Sequence, residues 1–99
     1  MTQPTSVNDK PSEKFWLGKF SMTTEASLKL DYEDVLSALR HHHTGDWGDV
    51  CAEDFEANET ALEFGGRLHS VYHDRKGVKF WVITEADRNT TTVLLPDDY

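Results

Sequence analysis

Phe80-Trp81-Val82-Ile83-Thr84-Glu85-Ala86-Asp87-Arg88-Asn89-Thr90-Thr91-Thr92-Val93-Leu94-Leu95-Pro96-Asp97-Asp98-Tyr99 reads as strand, polar turn, strand and stop. Pro96 lacks the N–H that a further ladder bond would need, so it ends the second run. The first run begins at Val78, after a turn signal at Asp74-Arg75-Lys76-Gly77. Upstream of that turn, Arg67 to His73 alternates Leu68, Ser70 and Tyr72 against Arg67, His69, Val71 and His73. Period-two alternation is the mark of a strand. Three strands joined by short turns make an antiparallel meander.

Helical periodicity lies before it. Thr23 or Thr24 is a plausible N-cap for a short helix through Leu30. Asp31 can cap a second helix from Tyr32 to about His42, with Val35, Leu36 and Leu39 on one face. Gly45 and Gly48 interrupt the chain. A third helix is expected from about Ala52 to Phe64, with Phe55, Ala61 and Leu62 facing inward and Gly65 as its stop. Phe15 to Met22 alternates as another strand. The fold class is therefore α+β, an antiparallel sheet of three to four strands with two to three helices packed on one face. The expected core is Trp81 or its neighbours Phe80 and Val82, Val93 or Leu94, Leu36, Leu39, Phe55 and Leu62. Both faces of Val78 to Thr84 are apolar. That predicts a strand covered on both sides, or an interface on its second face.

The chain has 99 residues, one domain's worth. Residues 1–13 lack apolar periodicity and read as a disordered tail, leaving residues 14–99 as a single domain. With one cysteine, Cys51, no intrachain disulfide can form, which fits a reducing compartment. There is no apolar run of the ~20 residues that span a bilayer. There is no apolar segment behind a basic N-terminus either, so a cytoplasmic location is expected. The net charge of −8 argues against non-specific binding to a nucleic-acid backbone. The imbalance is concentrated. From Asp46 to Glu63 there are seven acidic residues and no Lys or Arg. That is either a solvated helix face or an acidic surface for a basic partner, in the manner of DNA phosphates.

Two polar segments exceed what connectors need. In His41-His42-His43-Thr44-Gly45-Asp46-Trp47-Gly48-Asp49 the ligand types suit a metal, but adjacent helical histidines diverge and no established zinc spacing occurs. No metal or cofactor is expected. The imidazoles at a helix end would instead cap carbonyls and favour the dipole. Trp47 either plugs the core edge, with Asp49 near the third helix, or joins Asp46 at a ligand surface. In the loop, Arg88 either pairs with Glu85, Asp87 or Asp46, or joins Arg67 in gripping an anion with Glu85 or Asp87 as acid or base. No order of Ser, His and Asp supports covalent catalysis, and Ser70 and His69, as strand neighbours, point to opposite faces.

His42, Gly45-Asp46-Trp47-Gly48-Asp49, Asp54, Asn58, Gly66-Arg67-Leu68, Ser70, Tyr72, Trp81, Ile83-Thr84-Glu85-Ala86-Asp87-Arg88, Thr91-Thr92, Leu94-Leu95-Pro96 and Tyr99 together carry a resemblance. Over roughly His42 to Tyr99 the chain resembles a family of small bacterial proteins carried on plasmids, phages and integrative elements. Such proteins are sometimes labelled type I restriction-modification methylation subunits. The chain is far too short for a methyltransferase and has no Gly-rich cofactor loop. The resemblance implies a mobile-element setting and no mechanism. The candidate binding residues are His42, Asp46, Trp47, Asp49, Arg67, Tyr72, Glu85, Asp87, Arg88 and Thr91. Small size, acidity and the lack of catalytic spacing favour a non-enzymatic interaction module. Its partner would be a host or element-encoded protein with a basic surface, or a protein–nucleic-acid complex such as a defence system. The alternative is a small enzyme or anionic-ligand-binding domain built from the two polar loops.

Overall fold

The structure, a computed structural model, describes residues 13–99. Residues 1–12, most of the expected tail, lie outside the described part. The elements run β1 (Lys19–Met22), α1 (Thr24–Lys29), α2 (Tyr32–His43), α3 (Ala52–Phe64), β2 (Leu68–His73), β3 (Lys79–Thr84) and β4 (Thr90–Leu94), with a 3₁₀ turn over Pro96–Asp98. The fold is α+β, with one four-stranded sheet in the order β1-β4-β3-β2.

The meander forms as expected. β2 pairs antiparallel with β3 in the register Leu68 to Thr84, and β3 pairs antiparallel with β4 in the register Thr84 to Thr91. The sheet as a whole is mixed, because β1 joins β4 in parallel, Lys19 beside Thr90 and Met22 beside Val93. The expected first strand is also shorter than its alternating pattern. Gly18 has φ +69°, and a Cβ there would sit 2.4 Å from the carbonyl carbon and oxygen of Asn89. That close backbone approach starts the strand at Lys19, and Phe15 to Leu17 leave the strand's line.

Local chemistry fixes the helices. Thr23 caps α1 by accepting from Ala26 N–H, and Asp31 caps α2 by accepting from Glu33 and Asp34 N–H. The β2–β3 turn is tied to the start of α2. Arg75 pairs with Asp34 at 3.1 Å, and its hydrogen bonds hold the Asp34 carboxyl below the usual range. Burial raises the Asp74 carboxyl, but N–H donors from Val78, Asp31 and Lys76 outweigh it and hold the group ionised.

α1 and α2 cover one face of the sheet. Ala26, Leu30, Val35 and Ala38 pack there on Phe80, Val82, Val93 and Leu95, with Leu39 and Met22 partly buried at the rim. A second cluster joins Trp47, Ala61 and Leu68, flanked by Phe15, Val50 and Leu62. Two expected core residues lie outside. Phe55 is 49% exposed and Leu36 is 38% exposed. The inward face of α3 is small, because Asn58 and Ala61 are its only buried residues. No described helix is long and apolar enough to cross a membrane.

β2 is an edge strand, and two devices close its open side. Gly48 forms a bridge with Val71, in which Asp49 N–H donates to Val71 O at 2.7 Å and Val71 N–H donates to Trp47 O at 3.0 Å. Asn58 covers His69, two residues earlier: its amide donates to His69 O at 2.8 Å and accepts from His69 N–H at 3.0 Å. Covering an edge in this way removes a template for unwanted strand pairing.

Candidate functional site

Under the first sheet face lies a line of buried polar side chains. His42 is fully buried, with Nδ1 2.6 Å from Ser70 Oγ and Nε2 2.9 Å from Thr84 Oγ1. Thr84 Oγ1 is 2.6 Å from Thr91 Oγ1, and Thr91 donates to Leu17 O at 2.6 Å. The direction of every bond follows from its end. A carbonyl only accepts, so Thr91 gives its proton to Leu17 and accepts from Thr84. Thr84 then accepts from His42 Nε2–H, and the bare Nδ1 accepts from Ser70. Burial, followed by the neighbouring charges of His43, His69 and Arg88, lowers the His42 pKa to about 3, so the ring is neutral as this order requires.

This arrangement corrects two sequence expectations. His42 does not cap carbonyls at its helix end, and it has no surface to offer a ligand. A serine does meet a histidine here, through Ser70 and His42 rather than Ser70 and His69. Among the described residues no carboxylate orients the imidazole, and Ser70 and Thr84 are as buried as His42. The line therefore holds β2, β3, β4, α2 and the Phe15–Leu17 segment together. Its sequence signal is a polar residue on an inward strand face: Ser70 follows Leu68 by two positions, and Thr84 follows Phe80 and Val82.

The Asp46–Asp49 loop closes over one end of that line. Trp47 is 1% exposed, donates from Nε1 to Glu59 at 2.9 Å, and stacks on Phe15. It belongs to the core edge rather than to a ligand surface. Asp46 is exposed and lies 3.0 Å from His41 Nδ1, while its carbonyl accepts from the Tyr72 hydroxyl. Burial raises the Tyr72 pKa, so the phenol stays protonated as that bond requires. The Asp49 side chain is exposed.

The loop after β3 differs from expectation. Arg88 pairs with no carboxylate among the described residues. It donates to Gly66 O at 2.6 Å, Glu85 O at 3.0 Å and Ala61 O at 3.1 Å, and lies over the Phe15 ring. A helix C-terminus presents unsatisfied carbonyls and partial negative charge, and the guanidinium fork fits both. Arg88 thus caps α3 and does not share an anion site with Arg67. Arg67 bonds instead to Glu85 at 3.3 Å and to the Tyr99 hydroxyl at 2.6 Å, near the surface. Asp87 accepts from Asn89 N–H within the loop.

No hydrogen bond or ion pair among the described residues joins the Asp46 group to the Arg67–Glu85 group. Three surface hollows stand out. One of about 490 Å³ lies at Glu13 to Gly18, one of about 340 Å³ between α2 and the β2–β3 turn, and one of about 510 Å³ beside α3 and Arg67. None brings Asp46 together with Arg67, Glu85 or Arg88. Among the described residues no His, Cys, Asp and Glu side chains cluster as a metal site.

α3 itself is the most distinctive surface. Every residue from Cys51 to Ala57 is exposed. Glu53, Asp54, Glu56 and Glu63 make no ion pair among the described residues. Phe55 stands exposed among them. Compared with known proteins, the chain matches no family model, no curated protein and no solved structure.

Proposed function

We propose that this protein is a non-enzymatic acidic interaction module whose binding surface is the N-terminal half of α3. One observation carries the reading: an exposed helical segment places Phe55 among the carboxylates of Glu53, Asp54 and Glu56, which make no ion pair among the described residues. A core helix would bury that phenylalanine. An aromatic anchor ringed by like charges suits a basic partner, because the charges steer the encounter and the ring supplies buried area. The partner class is a bacterial protein with a basic surface, including one that handles nucleic acid. The resemblance to mobile-element proteins supports a host or element-encoded complex as the partner's setting, a defence system among them. An enzymatic site draws less support, since the two polar loops hold their charged groups in separate local contacts.

The test is affinity capture from bacterial lysate with the tagged wild-type chain and a Glu53→Lys, Asp54→Lys, Glu56→Lys variant. Glu59 is left alone because it holds the Trp47 indole. A partner retained by the wild type should be lost by the variant and should fade as salt rises. A partner captured equally by both, with the variant still folded, removes α3 from the reading.

A further inference from the structure

The sheet's second face, away from α1 and α2, has the opposite character to α3. None of the chain's 18 acidic residues lies in any of the four strands. Strand alternation and the pairing registers put Lys19, His69, Lys79 and Trp81 on this second face. Val71, Ile83 and Leu94 form its buried floor. Across it runs a contiguous ladder. His69 meets Trp81 edge-on at 4.5 Å, Trp81 meets Tyr99 at 5.7 Å, and the Arg67 guanidinium lies 5.9 Å from the Tyr99 ring centre. Tyr99, Arg67, Lys19 and Lys79 are exposed, and the Pro96–Asp98 turn lies against β3 and sets Tyr99 on the ladder. Four carboxylates border it: Glu85 bonds Arg67, the Asp54 charge is felt at His69, and Asp97 and Asp98 precede Tyr99, with Asp98 accepting from the Thr23 hydroxyl.

We propose that this face binds single-stranded nucleic acid. Aromatic rings on a flat sheet are stacking platforms for unpaired bases, and flanking cations contact the phosphates between them. A duplex keeps its base faces stacked internally, out of reach of the rings, so the occupant is a single strand. An acidic protein would use the cations and leave the ring ladder without a matching group. The net charge of −8 sets the average over the molecule, whereas Lys19, Lys79 and Arg67 set the local field here. Three phosphate contacts imply a log–log salt slope of about −2, and hence weak binding confined to low salt. The proposal stands independently of the role given to α3.

The test is a titration of ¹⁵N-labelled protein at low salt with a short oligothymidylate, and with the same strand annealed to oligoadenylate. The single strand should shift the Trp81 indole N–H and the amides of Lys79, Thr92 and Tyr99, and leave α2 unmoved. The duplex should bind at least ~10-fold more weakly. Tyr99→Ala and Lys79→Glu alter exposed side chains and keep the fold, and each should weaken binding at least ~5-fold. The proposal is overturned by an absence of shifts at millimolar strand, by shifts on α3 or α2 instead, by equal duplex binding, or by unchanged affinity in both variants.

Discussion

Asn58 of α3 meets the backbone of His69 in β2 as a neighbouring strand would, donating to its carbonyl at 2.8 Å and accepting from its N–H at 3.0 Å. Asn58 is 3% exposed, so water does not readily replace it. Asn58→Ala leaves both backbone groups unpaired and should lower stability by ~2–4 kcal/mol, since each unsatisfied buried group costs ~1–3 kcal/mol. Asn58→Asp keeps the acceptor but sets a carboxylate oxygen against the His69 carbonyl. At neutral pH it should be at least as destabilising as the alanine variant, and protonation in acid should recover part of the loss. Urea melts decide the matter, and a loss below ~0.5 kcal/mol for Asn58→Ala would show that the edge contact is not stabilising.

His42 makes stability depend on pH in a defined direction. Its pKa is about 3 in the folded chain and near 6.5 when unfolded. Above 6.5 both states leave the ring neutral and the buried line is intact. Between 6.5 and 3 the unfolded chain binds a proton that the folded chain refuses, so stability falls as pH falls, by up to ~1.4 kcal/mol per unit. Burial lowers the His69 pKa as well, which acts in the same sense. Wild-type protein should therefore lose stability steadily from pH 7 to pH 5, before most carboxylates protonate. His42→Gln keeps a donor toward Thr84 and removes the titration, so its slope over that range should be clearly flatter. Equal slopes in the two proteins would place the pH dependence elsewhere.

The fold was legible where signals were local. Period-two alternation found β2, the turn at Asp74–Gly77 followed by an apolar run found β3, the Thr23 and Asp31 caps located two helix starts, and Pro96 marked the end of the last strand. The parallel pairing of β1 with β4 was not legible, because it joins segments about seventy residues apart and rests on Gly18 lying against Asn89. The Phe55 expectation failed because an apolar residue at a helical spacing says nothing about whether anything packs on it. The candidate loops were found, but the bonds inside them were not. Arg88 had two carboxylates close by in sequence, Glu85 and Asp87, yet the carbonyls of Ala61 and Gly66 approach it only when α3 packs beside β2. Glu59 carries no signal as an isolated residue, Asn58 enters only through the resemblance, and Ser70 is weighed against its neighbour His69 rather than against His42, although it breaks an inward-facing apolar pattern.

Arg88 should be hard to replace. Its fork reaches Ala61 O, Gly66 O and Glu85 O together, which a single ammonium cannot do. Arg88→Ala should lower stability by ~2–3 kcal/mol, because partly buried carbonyls lose charged donors. Arg88→Lys should recover less than half of that. Amide hydrogen exchange should quicken most in the last turn of α3 and around Gly66. A lysine variant as stable as wild type would mean that charge alone, and not the fork, caps the helix.

Phe55 separates folding from binding in one substitution. Had it been core, truncation to alanine would remove ~3–5 kcal/mol. At 49% exposure and outside both hydrophobic clusters, it has little to lose on truncation, and Phe55→Ala should change stability by less than ~1 kcal/mol. Helix propensity even favours the change, since alanine is the better helix former. If the ring anchors a basic partner, the same variant should weaken capture of that partner at least ~10-fold, as central aromatic contacts do. Denaturant melts and quantitative pull-down on one protein preparation give both numbers. A large stability loss would put Phe55 back in the core. Unchanged capture would leave α3 with its charges but without the anchor that makes it a binding surface.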